Sequence, residues 1–500
     1  MMASPVTQAK TLMQILSVRL GERLDQMPIT RLVLDSREIM PGDTFVALKG
    51  EYVDGREYIA EAITAGASLI LQQHDVTACI SDGTVPVIGV ARLPERLSAF
   101  AANLLEHPSE KMTVLGVTGT NGKTSTAFWY QYLHSLLSSK AGAIGTLGVS
   151  IDGESYSTGM TTPDAIRVQQ SLADLQHKGA RAVVMEVSSH ALEQARVSAV
   201  QFDTAIYTNL TQDHLDYHGD MSSYGAAKER LFFMPGIHHC LINIDDEFGL
   251  ALHKKLQQQR PDVSVYAMSQ SQAHADVLCS SCEATAQGVK ALMTSPWGEI
   301  NIEAPVFGEF NLQNLMGVVS ALLIEGISAN RIQAALRTLP NVPGRLQRVS
   351  ASDPQVVVDY AHTPDALAKS LTALRHHTNG SLVCVFGCGG DRDKTKRAPM
   401  MACAQKYADR VVVTSDNPRT ESPEDIAIET IHGADQAKPF SVELDRAKAI
   451  TSAVIDAAEQ DLILLAGKGH ETYQQINGVN HPFSDVDVAS RALFQRGGVA

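Results

Sequence analysis

The stretch Val114-Leu-Gly-Val-Thr-Gly-Thr-Asn-Gly-Lys-Thr-Ser125 decides how this chain is read. An apolar strand pattern runs into a glycine loop, then Lys123-Thr124, then a helical pattern that continues through Leu137. Physically this is a phosphate cradle. Glycines let backbone N–H groups close on phosphate oxygens, and the following helix points its positive N-terminus at them. In such a loop Lys123 reaches the outer phosphates and the Thr124 hydroxyl holds a magnesium ion. The spacing departs from the common one, because Gly116 stands six residues before Gly122 rather than five.

Around this loop, composition narrows the possibilities. A chain of 500 residues implies two to four domains, each able to bury a full core. The formal net charge of −14 argues against nucleic acid as a partner, since such binding depends on a basic footprint. No apolar run approaches the ~20 residues needed to span a bilayer; the longest, Leu315 to Ile324, stops at Glu325. No basic segment followed by an apolar core marks a secretory signal. The odd count of 7 scattered cysteines suits a reducing cytoplasm. Cys279-Ser-Ser-Cys282 is a single CxxC. A zinc site recruiting His238, His239 and Cys240 is the weaker reading, because no second matching pair exists.

Three regions separate by pattern. Residues 1–105 form a small mixed region marked by Leu34-Asp-Ser-Arg37, Pro41-Gly-Asp43 and Asp54-Gly55. Over 106–341 strands and helices alternate, with short apolar runs at Val114–Val117, Ala182–Val187 and Thr204–Tyr207. Over 342–500 the alternation restarts, with runs at Val356–Val358, Leu382–Phe386, Arg410–Thr414 and Leu462–Leu465. Such alternation predicts an α/β fold of parallel sheets with helices on both faces. Val342-Pro-Gly-Arg345 is a hinge candidate between the second and third regions.

Polar motifs follow these strands. Met185-Glu-Val-Ser-Ser-His190, Thr208-Asn-Leu-Thr-Gln-Asp-His214, Gly387-Cys-Gly-Gly-Asp-Arg-Asp393, Ser415-Asp-Asn-Pro-Arg419 and Gly467-Lys-Gly-His-Glu471 each come after one. Ligands of open α/β sheets bind outside the carboxyl ends of strands, so the motifs are expected to line clefts. Glu186, ending an apolar strand, is costly to bury without a cation, and magnesium on ATP phosphates supplies one. His214 reads equally well as a metal or phosphate contact and as an ordinary structural histidine. Lys228, in Tyr224-Gly-Ala-Ala-Lys-Glu-Arg230, reads by default as a solvated helix lysine.

The ordered set Thr118-Gly-Thr-Asn-Gly-Lys-Thr124, Thr161-Thr-Pro163, Glu186-Val-Ser-Ser-His190, Asn209-Leu-Thr-Gln-Asp-His-Leu-Asp-Tyr-His218, Asp359-Tyr-Ala-His-Thr-Pro364 and Asp416-Asn-Pro-Arg419 resembles the Mur ligases of peptidoglycan synthesis. The resemblance covers nearly the whole chain and is weakest across 250–300. It implies three domains: an N-terminal one for the UDP end of the substrate, a central P-loop ATPase with a parallel sheet, and a C-terminal Rossmann-like one. The implied reaction is ATP-dependent amide bond formation. The D-glutamate side-chain carboxylate of UDP-N-acetylmuramoyl-L-alanyl-D-glutamate becomes an acyl phosphate, which an amine of meso-diaminopimelate then attacks. A cytoplasmic monomer using ATP and Mg2+ is the expectation.

Residue by residue, the resemblance implies that Gly119, Thr120, Asn121, Gly122, Lys123, Thr124 and Ser125 hold the ATP phosphates, with Asn311 and Arg345 as further nucleotide contacts. It places Thr124, Glu186 and His214 around magnesium, and makes Lys228 a carbamate, which overturns the solvated reading. Leu34, Ser36, Thr161, Thr162, Ser188, Gln194 and Arg196 match contacts to the UDP-muramoyl dipeptide. Glu51-Tyr-Val53 occupies a variable nucleotide-contacting loop. Diaminopimelate is assigned to Arg392, Asp416, Asn417, Pro418, Arg419, Gly467 and Glu471. Arg419 offers a planar fork suited to the far carboxylate, on a loop that Pro418 stiffens. Asp416 and Glu471 suit the far ammonium.

Three rivals stand beside this reading. A lysine-adding Mur ligase would differ at the Asp-Asn-Pro-Arg loop. A folylpolyglutamate synthase-like ligase fits that loop and the Leu34–Arg37 region poorly. A P-loop ATPase acting on a partner would need no amino-acid acceptor.

Overall fold

The computed structural model describes residues 9–50, 53–285, 287–350 and 354–497. Glu51 and Tyr52 of the variable loop lie outside the described residues. The chain forms two compact units, Met1–Leu278 with Gly317–Ile327, and Cys279–Met316 with Ser328–Ala500.

Among the described residues, the first unit contains a short antiparallel pairing of Lys10–Thr11 with Pro28–Ile29 and two larger sheets. The smaller of these two has 5 strands in the order Leu32–Val33, Thr44–Ala47, Leu69–His74, Val87–Ala91, Ala78–Ser81. All neighbours are parallel except the last pair. The apolar face of helix Leu93–Leu104 covers it, and Ala165 and Ile166 from the next region join the same core.

The larger sheet is built on strand Thr113–Thr118, flanked in parallel by Ala182–Glu186 and Thr204–Tyr207. Ala141–Gly145 extends it on one side, and His239–Asn243 and Ser264–Ser269 on the other, again in parallel. Gly148–Ile151 and Glu154–Tyr156 add an antiparallel edge. Ala182–Glu186 is buried at every position, as expected of a parallel strand covered on both faces.

In the second unit a sheet of 6 strands runs Gln347–Arg348, Gln355–Asp359, Leu462–Ala466, Leu382–Phe386, Arg410–Val413, Phe440–Val442, parallel after the first pair. Successive residues face opposite sides. Val357, Cys384, Phe386, Leu462 and Leu464 pack with Leu367, Leu371, Met400, Met401 and Ile426. Val356, Val358, Val385, Ile463 and Leu465 pack instead with Ile450, Val454, Val488 and Ala492. The sheet is doubly wound, and the same unit carries the hairpin Gly288–Ser295 with Gly298–Ala304.

Leu315 to Ile324 is the buried body of helix Glu309–Ile324, an explanation of its all-round apolarity that needs no bilayer. Among the described residues, no helix is long and apolar enough to cross a membrane. The zinc reading is not supported. All 7 cysteines are free, and among the described residues no group of three or more His, Cys, Asp or Glu could hold a metal.

Candidate active site

In the first unit, four parallel strands deliver their carboxyl ends to one place. Thr118 leads into the glycine loop, Glu186 and Tyr207 end the flanking strands, and Gly145 ends the next one out. Gly119 turns with φ 151°, and a Cβ there would run into the Thr208 hydroxyl, so only glycine fits. The loop is laced to the segment after Tyr207. Thr120 N donates to Asn209 O at 2.8 Å, and Asn121 N to Asn209 Oδ1 at 3.0 Å. Thr208 Oγ1 donates to Asn121 O at 2.6 Å. Helix Lys123–Leu137 follows at once, with Thr124 and Ser125 buried in its first turn. Lys123 Nζ donates to Gly119 O at 2.7 Å and Thr120 O at 2.9 Å, which fixes its ammonium over the cradle.

Glu186 is buried and fully engaged. Oε2 accepts from Thr124 Oγ1 at 3.0 Å and Thr146 Oγ1 at 3.1 Å, and Oε1 from Thr146 N at 2.8 Å. A carboxylate and a hydroxyl oxygen this close form a hard donor pair of the kind magnesium takes, so these residues fit the ion. Thr146 was missed by sequence reasoning. Its only signal is its place directly after a strand ending in Gly145.

Lys228 corrects the solvated-lysine reading. It lies on helix Met221–Glu229, 1 % exposed, with Nζ donating to Gly119 O at 2.9 Å and standing 4.3 Å from the Tyr224 ring centroid. Burial, and then the nearby Lys123 ammonium, push its pKa well below the ordinary lysine value, with Asp213 pulling the other way. A buried, readily neutral amine is the form that reacts with carbon dioxide.

His214 is the site residue the structure sets apart. It takes φ 53° ahead of the short helix Leu215–His218, and its side chain is about half exposed at 49 %. Its ring meets His190 at 4.9 Å and Tyr224 at 6.1 Å between centroids, and it lies 3.4 Å from Asp213. Among the described residues no hydrogen bond or ion pair joins it to Thr124 or Glu186, because the left-handed turn carries the ring toward those aromatic neighbours. Burial and the adjacent His214 and His218 push His190 down to about 4, so it stays neutral at physiological pH.

The residues matched to the muramoyl dipeptide come together beside Glu186. Thr161 Oγ1 lies 3.1 Å from Thr146 Oγ1. Thr162 Oγ1 donates to Glu186 O at 2.8 Å and accepts from Ser188 N at 3.0 Å. Arg196 donates to Thr162 O at 2.9 Å and through Nε to Gln194 Oε1 at 2.9 Å, while Gln194 donates to Tyr217 OH at 3.1 Å. Ser36 is buried in the turn Ser36–Glu38, next to Leu34 at the edge of the small core. The Glu38 carboxylate pairs with Arg167, one turn into the helix after Thr162, at 3.2 Å. That tie between the two sheets was not foreseen.

In the second unit, Arg345 stacks 4.7 Å from the Tyr360 ring centroid. Asn311 is buried and donates to Phe307 O at 2.9 Å. The carboxyl ends of the doubly wound sheet carry the remaining motifs. Gly467 has φ 115°, and a Cβ there would stand 2.6 Å from Asp416 Oδ2. Asn417 Nδ2 donates to Glu471 Oε2 at 2.8 Å. Pro418 is buried and Arg419 donates to Gly390 O at 2.6 Å. Exposed Arg392 and half-buried Arg419 both border Gly389, where a Cβ would sit 3.0 Å from Arg419 Nη1 and 3.8 Å from Arg392 Cγ. Two supports were missed. Lys468 lies buried beneath Asn417 and Glu471. The fully buried pair Arg446–Asp485, at 2.7 Å, lets Arg446 donate to Ala466 O at 3.0 Å and Ser415 O at 3.4 Å.

Family comparison matches this layout along almost its whole length. The Mur ligase family catalytic domain matches residues 28–104, the Mur ligase middle domain 117–322, and the Mur ligase glutamate ligase domain 344–469. The chain belongs to the Mur ligase family. A UDP-N-acetylmuramoyl-L-alanyl-D-glutamate–2,6-diaminopimelate ligase of Chromobacterium violaceum is 45 % identical over 471 residues, 93 % of this Mur ligase and 94 % of the relative. A solved structure of a ligase with the same description aligns with a TM-score of 0.74 at 31 % identity, covering 98 % of this chain and 100 % of the other. A folylpolyglutamate synthase of Mycobacterium tuberculosis shares the fold at a TM-score of 0.61, but at 20 % identity and over 79 % of this chain.

Proposed function

We propose that this Mur ligase joins meso-diaminopimelate to UDP-N-acetylmuramoyl-L-alanyl-D-glutamate with ATP as the driving reactant, as a cytoplasmic monomer in peptidoglycan precursor synthesis. The observation that carries the reading is the gathering of Lys123, Thr124 and Glu186 with Thr161, Thr162, Ser188 and Arg196 at the carboxyl ends of one sheet. A phosphate cradle and a set of donors for an acidic peptide thereby meet at one carboxylate. We assign the UDP end of the substrate to 1–105, ATP to 106–341 and the amino acid to 342–500.

The residues divide the work by charge. The backbone of Gly119 to Ser125 and the Lys123 ammonium hold the ATP phosphates, and Arg196 orients the acceptor carboxylate for attack on the γ-phosphorus. Magnesium, held by Thr124 and Glu186, supplies neutralisation of phosphate charge. Lys228 serves as a carbamate, formed when its neutral amine attacks carbon dioxide and releases a proton. His214 completes this set after a local rearrangement of its turn. Asp416 and Glu471 receive the far ammonium of diaminopimelate, and Arg419 and Arg392 its carboxylates. Catalysis rests on positioning and charge neutralisation, since two anions must approach each other.

Phosphate release measured with each acceptor omitted in turn tests the proposal. Release that depends on both the muramoyl dipeptide and diaminopimelate is expected. Release independent of any amino acid overturns it in favour of a simple ATPase, and preference for lysine in favour of the lysine-adding class.

A further inference from the structure

We propose that Lys468 is a positioning residue for amino-acid recognition, which fixes the atom of Glu471 and the face of Asn417 that meet the substrate. The inference rests on the assignment of the amino acid to this cluster.

Lys468 has no accessible surface, an unusual place for an ammonium unless partners replace its water. Its Nζ donates to Asn417 Oδ1 at 3.0 Å and to Glu471 Oε2 at 3.0 Å. Asn417 Oδ1 also accepts from Gln475 N at 2.9 Å, and Asn417 Nδ2 donates to Glu471 Oε2 at 2.8 Å. Three groups therefore share one closed circuit. The amide of Asn417 cannot flip, because its oxygen faces two donors and its nitrogen faces a carboxylate. Glu471 has Oε2 committed twice from below, while its side chain keeps 20 % exposure. The exposed acceptor is thus Oε1, offered to a substrate ammonium in one orientation. Neither partner lies near Lys468 by chance of a flexible stem: Asn417 follows strand Arg410–Val413, Lys468 follows Leu462–Ala466, both strands flank Leu382–Phe386, and Glu471 N donates to Lys468 O at 3.0 Å.

Lys468→Met keeps an unbranched side chain one atom shorter and removes the cation. The full chain carrying it is expected to bind amino acid worse by about tenfold in KM or more, because a charged hydrogen bond is lost. KM for ATP and for the muramoyl dipeptide should stay within about twofold of wild type. In a Glu471→Gln background, Lys468→Met should add much less than it does alone, the coupling expected when one residue acts through the other. Should Lys468→Met fail to fold, Lys468→Gln takes its place in both backgrounds. An unchanged amino-acid KM, an equal rise in all three KM values, or full additivity with Glu471→Gln overturns the proposal. Failure of wild-type enzyme to use diaminopimelate would instead count against the functional assignment and leave the circuit standing.

Discussion

Lys228 and Gly119 meet across 109 residues of sequence, the buried ammonium of one donating to the carbonyl of the other at 2.9 Å. The phosphate loop is therefore held from beneath by a side chain that is itself easily deprotonated. If carbon dioxide adds there, 13C-labelled bicarbonate should give a carbamate NMR signal that grows with pH, as the neutral amine becomes commoner, and is missing in Lys228→Ala. That variant should be strongly impaired and partly restored by short carboxylates in the buffer. Full activity of Lys228→Arg would show that no anion is needed.

Lys123 sits over the cradle through its bonds to Gly119 O and Thr120 O. Lys123→Ala should lower kcat by roughly a thousandfold with little change in melting temperature, since the charge offsets the transferring phosphoryl group. A folded variant with near-wild-type turnover would remove the loop from the reaction.

Thr146 touches both oxygens of Glu186 and the hydroxyl of Thr161. Thr146→Val keeps the backbone donor and loses the hydroxyl. Activity is expected to fall about ten- to a hundredfold, with a raised magnesium requirement. Thr146→Ser, which retains the hydroxyl, should recover most of it.

Arg419 is held at φ 54° with its guanidinium against Gly390 O. Wild-type enzyme should prefer diaminopimelate to lysine by ~10⁴ or more, because lysine leaves the site's polar groups unpaired. Arg419→Ala should lose most of that preference in a competition assay. Equal use of both amino acids by the wild type would refute the assignment of specificity while leaving the ligase chemistry intact.

His190, lowered from 6.5 to about 4, sets an acid limit. Between those values the unfolded chain takes up a proton that the native chain refuses, so stability from this site is intact above pH 6.5 and is lost as pH falls toward 4. His190→Gln should flatten the loss of melting temperature over that interval. A parallel decline in both proteins would assign the acid limit to other groups.

Much of this was legible in the sequence because it is local. The helix after the phosphate loop ends at Leu137 as its pattern predicts, and Thr204–Tyr207 and Leu382–Phe386 match residue for residue. Arg410–Val413 closes one residue before its apolar run, since Thr414 begins the site loop. The small N-terminal sheet stayed hidden because strands such as Leu32–Val33 are too short to show a period. Lys468, Thr146 and the Arg446–Asp485 pair were hidden for another reason, and Lys228 came into view only through the family resemblance. Their roles depend on partners far along the chain, and a lysine or arginine read alone defaults to solvent.

The Arg446–Asp485 pair bears on inhibitor chemistry. Arg446 grips the carbonyls at the ends of two strands, so the loop from Ser415 and the loop from Ala466 are anchored to a single cation. Losing either partner strands a charge in the core, at a cost of about 3–5 kcal/mol. Resistance by loosening this anchor is therefore self-limiting. A rigid mimic of the amino acid would find both loops already in place and lose little affinity to ordering them.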